Sequence, residues 1–105
     1  MVKIMNKLAK YLFIVSMDVD EGQEKQFNEW YNKEHVPALL KVPGVIRAYR
    51  YISKGGTPKY TAIYELGNPS IQTSDAWKKA VEMTPRPREI TPKNATRNIY
   101  ECIYP

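Results

Sequence analysis

GVIRAYRYIS at residues 44–53 and KYTAIYEL at residues 59–66 decide the fold of this chain. The first alternates Val45, Arg47, Tyr49 and Tyr51 with Ile46, Ala48, Arg50 and Ile52, the period-two pattern of a strand. Lys54-Gly55-Gly56-Thr57-Pro58 then gives a turn signal, so the two stretches predict a hairpin. Upstream, KYLFIVSMD at residues 10–18 is β-branched and aromatic and predicts another strand. After it, Asp20 is placed to cap a helix whose first turn carries Glu21 and Glu24, favourable at the positive end of the dipole. Phe27, Trp30, Tyr31, Glu34 and Ala38 fall near one face at the helical period. Pro37 disfavours helical geometry at Val36, so the regular helix is expected to end or kink near His35. Leu39-Leu40 then leads to the turn Val42-Pro43-Gly44.

Downstream of the hairpin, Asn68-Pro69-Ser70 starts a short helix with apolar positions Ile71, Ala76, Trp77, Ala80 and Val81. TPRPREITPK at residues 84–93 holds three prolines and predicts an extended surface loop. TRNIYECIYP at residues 96–105 predicts a strand in which Cys102 is a small buried hydrophobe. The order is β-α-β-β-α-β. With right-handed crossovers this is an α+β, ferredoxin-like fold: a four-stranded antiparallel sheet with two helices on one face. Its other face, still largely apolar or aromatic, needs cover by a second sheet, a ligand or nucleic acid.

The 105 residues suit one domain, read as an N-terminal extension at 1–9 and a single domain at 10–105. At 43% hydrophobic and 26% charged, the composition is that of an ordinary globular protein. A chain this short buries a modest core, which favours pairing with a second copy. The single cysteine excludes an internal disulfide framework and fits a reducing compartment. YLFIVSM after the N-terminal lysines lacks a small-residue cleavage site and is far shorter than the roughly 20 residues that span a bilayer. A cytoplasmic protein with no membrane association is therefore expected. The net charge of +5 is spread over Lys3, Lys7, Lys10, Arg86, Arg88, Lys93 and Arg97, a pattern of solubility more than of nucleic-acid binding.

Trp30-Tyr31 followed by Glu34-His35-Val36-Pro37, then Val42-Pro43-Gly44 and AYRY, resembles the EthD-like branch of the dimeric α/β-barrel superfamily. Residues 60–66 and the helix containing Trp77 continue the likeness, which covers roughly residues 10–105. The resemblance implies a homodimer whose two sheets close face to face into a barrel. It also implies a small-molecule cleft between sheet and helices, in a superfamily of isomerases, cyclases and small monooxygenases. Many of those enzymes work without metal or organic cofactor, so no cofactor is expected.

His35, the only histidine, is the candidate catalytic residue, because an imidazole titrates near neutrality and can carry a proton. A helix C-terminus and neighbouring Glu34 are expected to favour its charged form. The bland alternative is a histidine that caps a terminal carbonyl. Trp30, Tyr31, Tyr49, Tyr51, Tyr60 and Tyr64 are the candidate substrate-binding residues, although residues such as Trp30, Tyr31 and Trp77 are more often core than ligand-stacking. Alternation pairs Tyr49 with Tyr51 and Tyr60 with Tyr64, and leaves open whether the two pairs share a face. Arg47 and Arg50 lie on opposite faces of one strand. An inward arginine is expected to need a carboxylate partner, for which Glu65 is a candidate, or an anionic ligand; the favoured alternative is a solvent-facing ladder of charges. One histidine and one cysteine form no metal cluster, and no nucleophile elbow or phosphate loop is present.

These readings favour a protein that binds a small apolar or aromatic molecule, with His35 moving a proton in cofactor-free isomerase- or cyclase-type chemistry. The alternatives are a non-catalytic accessory protein and, last, an RNA-binding module stacking bases on Tyr11, Phe13, Tyr60 and Tyr64. Against the last, KYTAIYEL lacks the K/R-G-F/Y-G/A-F start of the RNA-recognition motif.

Overall fold

A computed structural model describes residues 8–105; residues 1–7 of the expected N-terminal extension lie outside the described residues. Strands β1 (Tyr11–Asp18), β2 (Val45–Ile52), β3 (Tyr60–Leu66) and β4 (Lys93–Glu101) form one sheet in the order β2-β3-β1-β4. Every neighbouring pair is antiparallel. The helical segments are α1 (Glu24–Trp30), α2 (Val36–Leu40) and α3 (Asp75–Met83). This is the ferredoxin-like arrangement that the hairpin and its flanks predict.

On β1 the odd positions Phe13, Val15 and Met17 are buried and the even positions are not. Register carries that face across the sheet: Phe13 lies opposite Tyr64, Val15 opposite Ala62, and Met17 opposite Tyr60. Ala48, Arg50 and Ile52 of β2 continue it, opposite Tyr64, Ala62 and Tyr60. Phe27, Trp30, Tyr31, Leu39, Ile71 and Trp77 come down on this face and complete the core. A register shift between Val45 and Arg47 departs from simple alternation, because Val45 now joins the core face and pairs with Leu66. The extra residue of a bulge moves everything before it to the other side.

Local chemistry sets the element ends. Ser74 accepts a hydrogen bond from the Trp77 amide and caps α3. Asn68 accepts from the Ser70 amide and starts the 3-10 turn Pro69–Thr73. Asp20 is extended and makes no side-chain cap bond; its carboxylate meets Lys93 instead, while Glu21–Gln23 forms a 3-10 turn ahead of α1. Gly44 adopts φ +96°, and a side chain there would collide with Ile71.

Two expectations need adjustment. The helix is disturbed near His35 as expected, but by a widened turn and not by an end. A π-helical turn at Tyr31–His35 links α1 to α2, and helical backbone runs on to Leu40. Pro37 has no N–H and its ring crowds the carbonyl four residues back, a strain that a wider turn relieves. Cys102 is partly exposed beyond the end of β4 rather than buried within a strand.

Candidate functional site

The π turn explains the lone histidine. In a regular α-helix, positions five apart point roughly 140° away from each other at ~100° per residue. Here the Val36 amide donates to the Tyr31 carbonyl, an i to i+5 bond, and the widened turn brings position 35 over position 30. His35 stacks on Trp30, with ring centroids 4.5 Å apart and planes 21° from parallel. Tyr31 meets the imidazole edge-on at 5.3 Å.

Thr84, at the end of α3, fixes both rings. Its carbonyl accepts from the Trp30 indole N–H at 3.2 Å. Its hydroxyl donates to the Ala80 carbonyl at 2.9 Å and lies 2.9 Å from His35 Nδ1. A hydroxyl has one hydrogen, and the Ala80 bond uses it, so His35 Nδ1 must be the donor. The imidazole is therefore held with its proton on Nδ1 and the lone pair on Nε2. Burial, and secondarily the Arg86 guanidinium, push the His35 pKa down to about 4. This overturns the expected charged histidine: Glu34 is exposed, and the helix does not end at His35.

His35 lines a cavity of about 200 Å³ between the helices and the sheet. Phe13, Trp30, Tyr31, Tyr64 and Trp77 supply its aromatic walls, and Gln72, Arg86 and Arg97 its polar ones. Tyr64 is 1% exposed, and its hydroxyl has no partner among the described residues. Burial pushes the Tyr64 phenol well above its ordinary pKa, so it stays a donor.

The candidate residues separate into groups. Trp30, Tyr31 and Tyr64 share the cavity with His35. Tyr60 faces the same side of the sheet but packs on Phe27 and meets the Glu24 carboxylate. Tyr49 and Tyr51 lie on the opposite, open face, where their registers set them against Ile63 and Thr61. The same geometry disposes of the base-stacking set, because Phe13, Tyr60 and Tyr64 are buried beneath the helices.

The two strand arginines do lie on opposite faces. Arg47 grips Glu65 with two bonds of 2.9 and 3.2 Å, and Tyr49 donates to the same carboxylate at 2.8 Å. Arg50 faces the helices, and among the described residues no carboxylate pairs with it. Its guanidinium donates to Asn28 and Asn32, each at 2.9 Å, and lies 4.4 Å from the Tyr31 ring centroid. Amide oxygens and ring faces replace the expected anion.

Thr84 is the site residue that sequence reasoning missed. Its signal was Pro85, which drives the preceding residue out of helical geometry and frees it to turn toward the helix of His35. Among the described residues, no group of three or more histidine, cysteine or acidic side chains converges as a metal site. None of the described helices is long and apolar enough to cross a membrane.

Solved structures share this architecture at low identity. An ethyl tert-butyl ether d (EthD) family protein from Bacillus halodurans superposes with a TM-score of 0.62 at 14% identity, over 89% of this chain and 99% of that one. The haem-degrader MhuD from Mycobacterium tuberculosis, with two haems bound in its active site, gives 0.68 at 12%, over 90% and 97%. A dimeric protein of unknown function and ferredoxin-like fold from Bacteroides fragilis gives 0.61 at 14%, over 88% and 95%. The EthD-like resemblance therefore holds as a likeness of fold. No curated protein matches the sequence. A family model described as a domain of unknown function, DUF4286, matches residues 10–84, from the start of β1 to Thr84, and the chain belongs to that family.

Proposed function

We propose that this protein binds a small, largely apolar or aromatic molecule in the His35 cavity and moves a proton on it without a cofactor. One observation carries the reading. A neutral imidazole with a fixed tautomer shares an aromatic-walled cavity with a buried phenol whose hydroxyl lacks a protein partner. Buried polar groups are normally satisfied, so an unpartnered phenol on a residue that lines the cavity supports ligand recognition. Tyr64 would donate to a carbonyl or phenol oxygen of the ligand, and Nε2 of His35 would accept the proton that this polarisation loosens. Trp30 and Tyr31 would hold the ring. MhuD, whose fold is similar, is a structure with two haems bound, which supports a ligand-binding use of this architecture.

We further propose a homodimer formed through the open sheet face. Tyr51 and Tyr100 there are 63% and 48% exposed, and the similar fold from Bacteroides fragilis is described as dimeric. Cys102 as the one cysteine fits a cytoplasmic location. Native mass spectrometry of freshly purified protein tests assembly and ligand together, with a dimer carrying a small-molecule adduct expected. In D2O the wild type should then exchange deuterium into that ligand, and His35→Gln should not. Bare protein, or equal exchange by His35→Gln, contradicts the proton-transfer reading. A non-catalytic binding protein is the second reading, favoured by the low basicity of an imidazole whose pKa is about 4. It predicts an adduct without exchange.

A further inference from the structure

We infer that the ligand of the His35 cavity is a single-ring aromatic carboxylate whose acid group is held between Arg86 and Arg97. The inference rests on the small-molecule reading above and names its chemical class. Size is the first argument. The cavity measures about 200 Å³, and a dry cavity of about 150 Å³ is enough to admit benzene. One ring with a short polar substituent fills the space.

Charge is the second. Among the described residues, two guanidiniums line the cavity and no aspartate or glutamate does. Arg97 sits opposite Val15, itself a cavity wall, so register turns its side chain to the same face. Arg97 forms no ion pair among the described residues. Arg86 donates its Nε to the Ile90 carbonyl at 3.1 Å, which orients the guanidinium and leaves its terminal nitrogens as donors. Burial raises the Tyr31 phenol, and Arg50 first, then Arg97 and Arg86, oppose that push.

Arg50 provides the internal contrast. That arginine has its terminal nitrogens on amide oxygens and its plane near ring faces, with Nε left without a partner among the described residues. Arg86 has one such bond, to the Ile90 carbonyl, and neither it nor Arg97 forms an ion pair among the described residues. A carboxylate between them would accept paired charge-assisted bonds, the geometry that guanidinium groups favour. With the ring against Trp30 and Trp77, a remaining carbonyl or hydroxyl substituent can meet Tyr64 and His35.

Isothermal titration of the intact protein with benzoate and with benzamide, its neutral isostere, tests this at low salt. Benzoate should bind at least about tenfold more tightly than benzamide, because bonds to charged groups exceed neutral ones by that margin. Arg97→Gln and Arg86→Gln should each weaken benzoate about tenfold and leave benzamide within about twofold, while Arg88→Gln changes neither. Equal binding of benzoate and benzamide overturns the carboxylate inference and leaves the small-molecule reading standing. A benzoate preference that survives both arginine variants overturns the assignment of Arg86 and Arg97. If neither compound binds while uncharged indole does, the acid class is wrong; if none of the three binds, both the inference and the underlying reading fail.

Discussion

The two faces of strands β2 and β3 carry the same residue type in opposite circumstances. On the open face, Tyr49 donates to Glu65, which Arg47 also grips, and every strong polar group in that trio has a partner. On the helix face, Tyr64 is more deeply buried and its hydroxyl bonds to nothing in the described chain. A phenol that finds a partner contributes to folding, whereas one buried without a partner costs stability and persists where something else is recognised. The contrast separates a face whose phenol is satisfied within the protomer from one whose phenol is not, which is where the ligand is proposed to bind.

The largest expected effect tests which face is the core. Phe27→Ala, at a fully buried position on the helix side, should lower unfolding free energy in urea by about 3–5 kcal/mol. Tyr51→Ala, on the open face, should change the protomer's own stability by less than about 0.5 kcal/mol. A reversal of that order would break the assignment of faces.

Next comes pH. The His35 pKa falls from 6.5 to about 4 on folding, so between those values the unfolded chain binds more protons. Stability is full above pH 6.5 and is lost as pH falls toward 4, by about 3 kcal/mol at most. The stability difference between wild type and His35→Gln should shrink by that order from pH 7 to pH 4. A pH-independent difference would show that His35 is not buried as described.

Smaller effects sharpen the site. Thr84→Val removes the acceptor of His35 Nδ1 and should cost about 1–2 kcal/mol by thermal denaturation. The two tyrosines give the finest comparison. Tyr49→Phe breaks the bond to Glu65 and should cost about 1 kcal/mol, while Tyr64→Phe should be neutral or slightly stabilising. Equal losses at both would mean that Tyr64 has a structural partner after all.

Much of this fold was legible because strands announce themselves by alternation. Phe13, Val15 and Met17 share a face by period two alone, and the hairpin followed from the turn at 54–58. What alternation cannot supply is the register between strands, and with it the question of whether Tyr49 and Tyr64 share a side. The bulge between Val45 and Arg47 is invisible for the same reason: one extra residue leaves no mark on composition. His35 was legible as a candidate because it is unique. Its surroundings were not, since a π turn and a threonine 49 residues away determine its tautomer. Pro37 marked a disturbance in the helix. Whether helices end or widen at such a residue is decided by the packing around it, here the stacking of His35 on Trp30.

The state of His35 carries the account, and nitrogen-15 NMR of the imidazole reads it directly. A pH titration of the labelled protein should show a neutral ring protonated on Nδ1, unchanged from pH 8 down to about 5, and charging only near pH 4. A ring that titrates near pH 6.5 would contradict the burial of His35, and a neutral-state proton on Nε2 would contradict both the Thr84 hydrogen bond and the base proposed here.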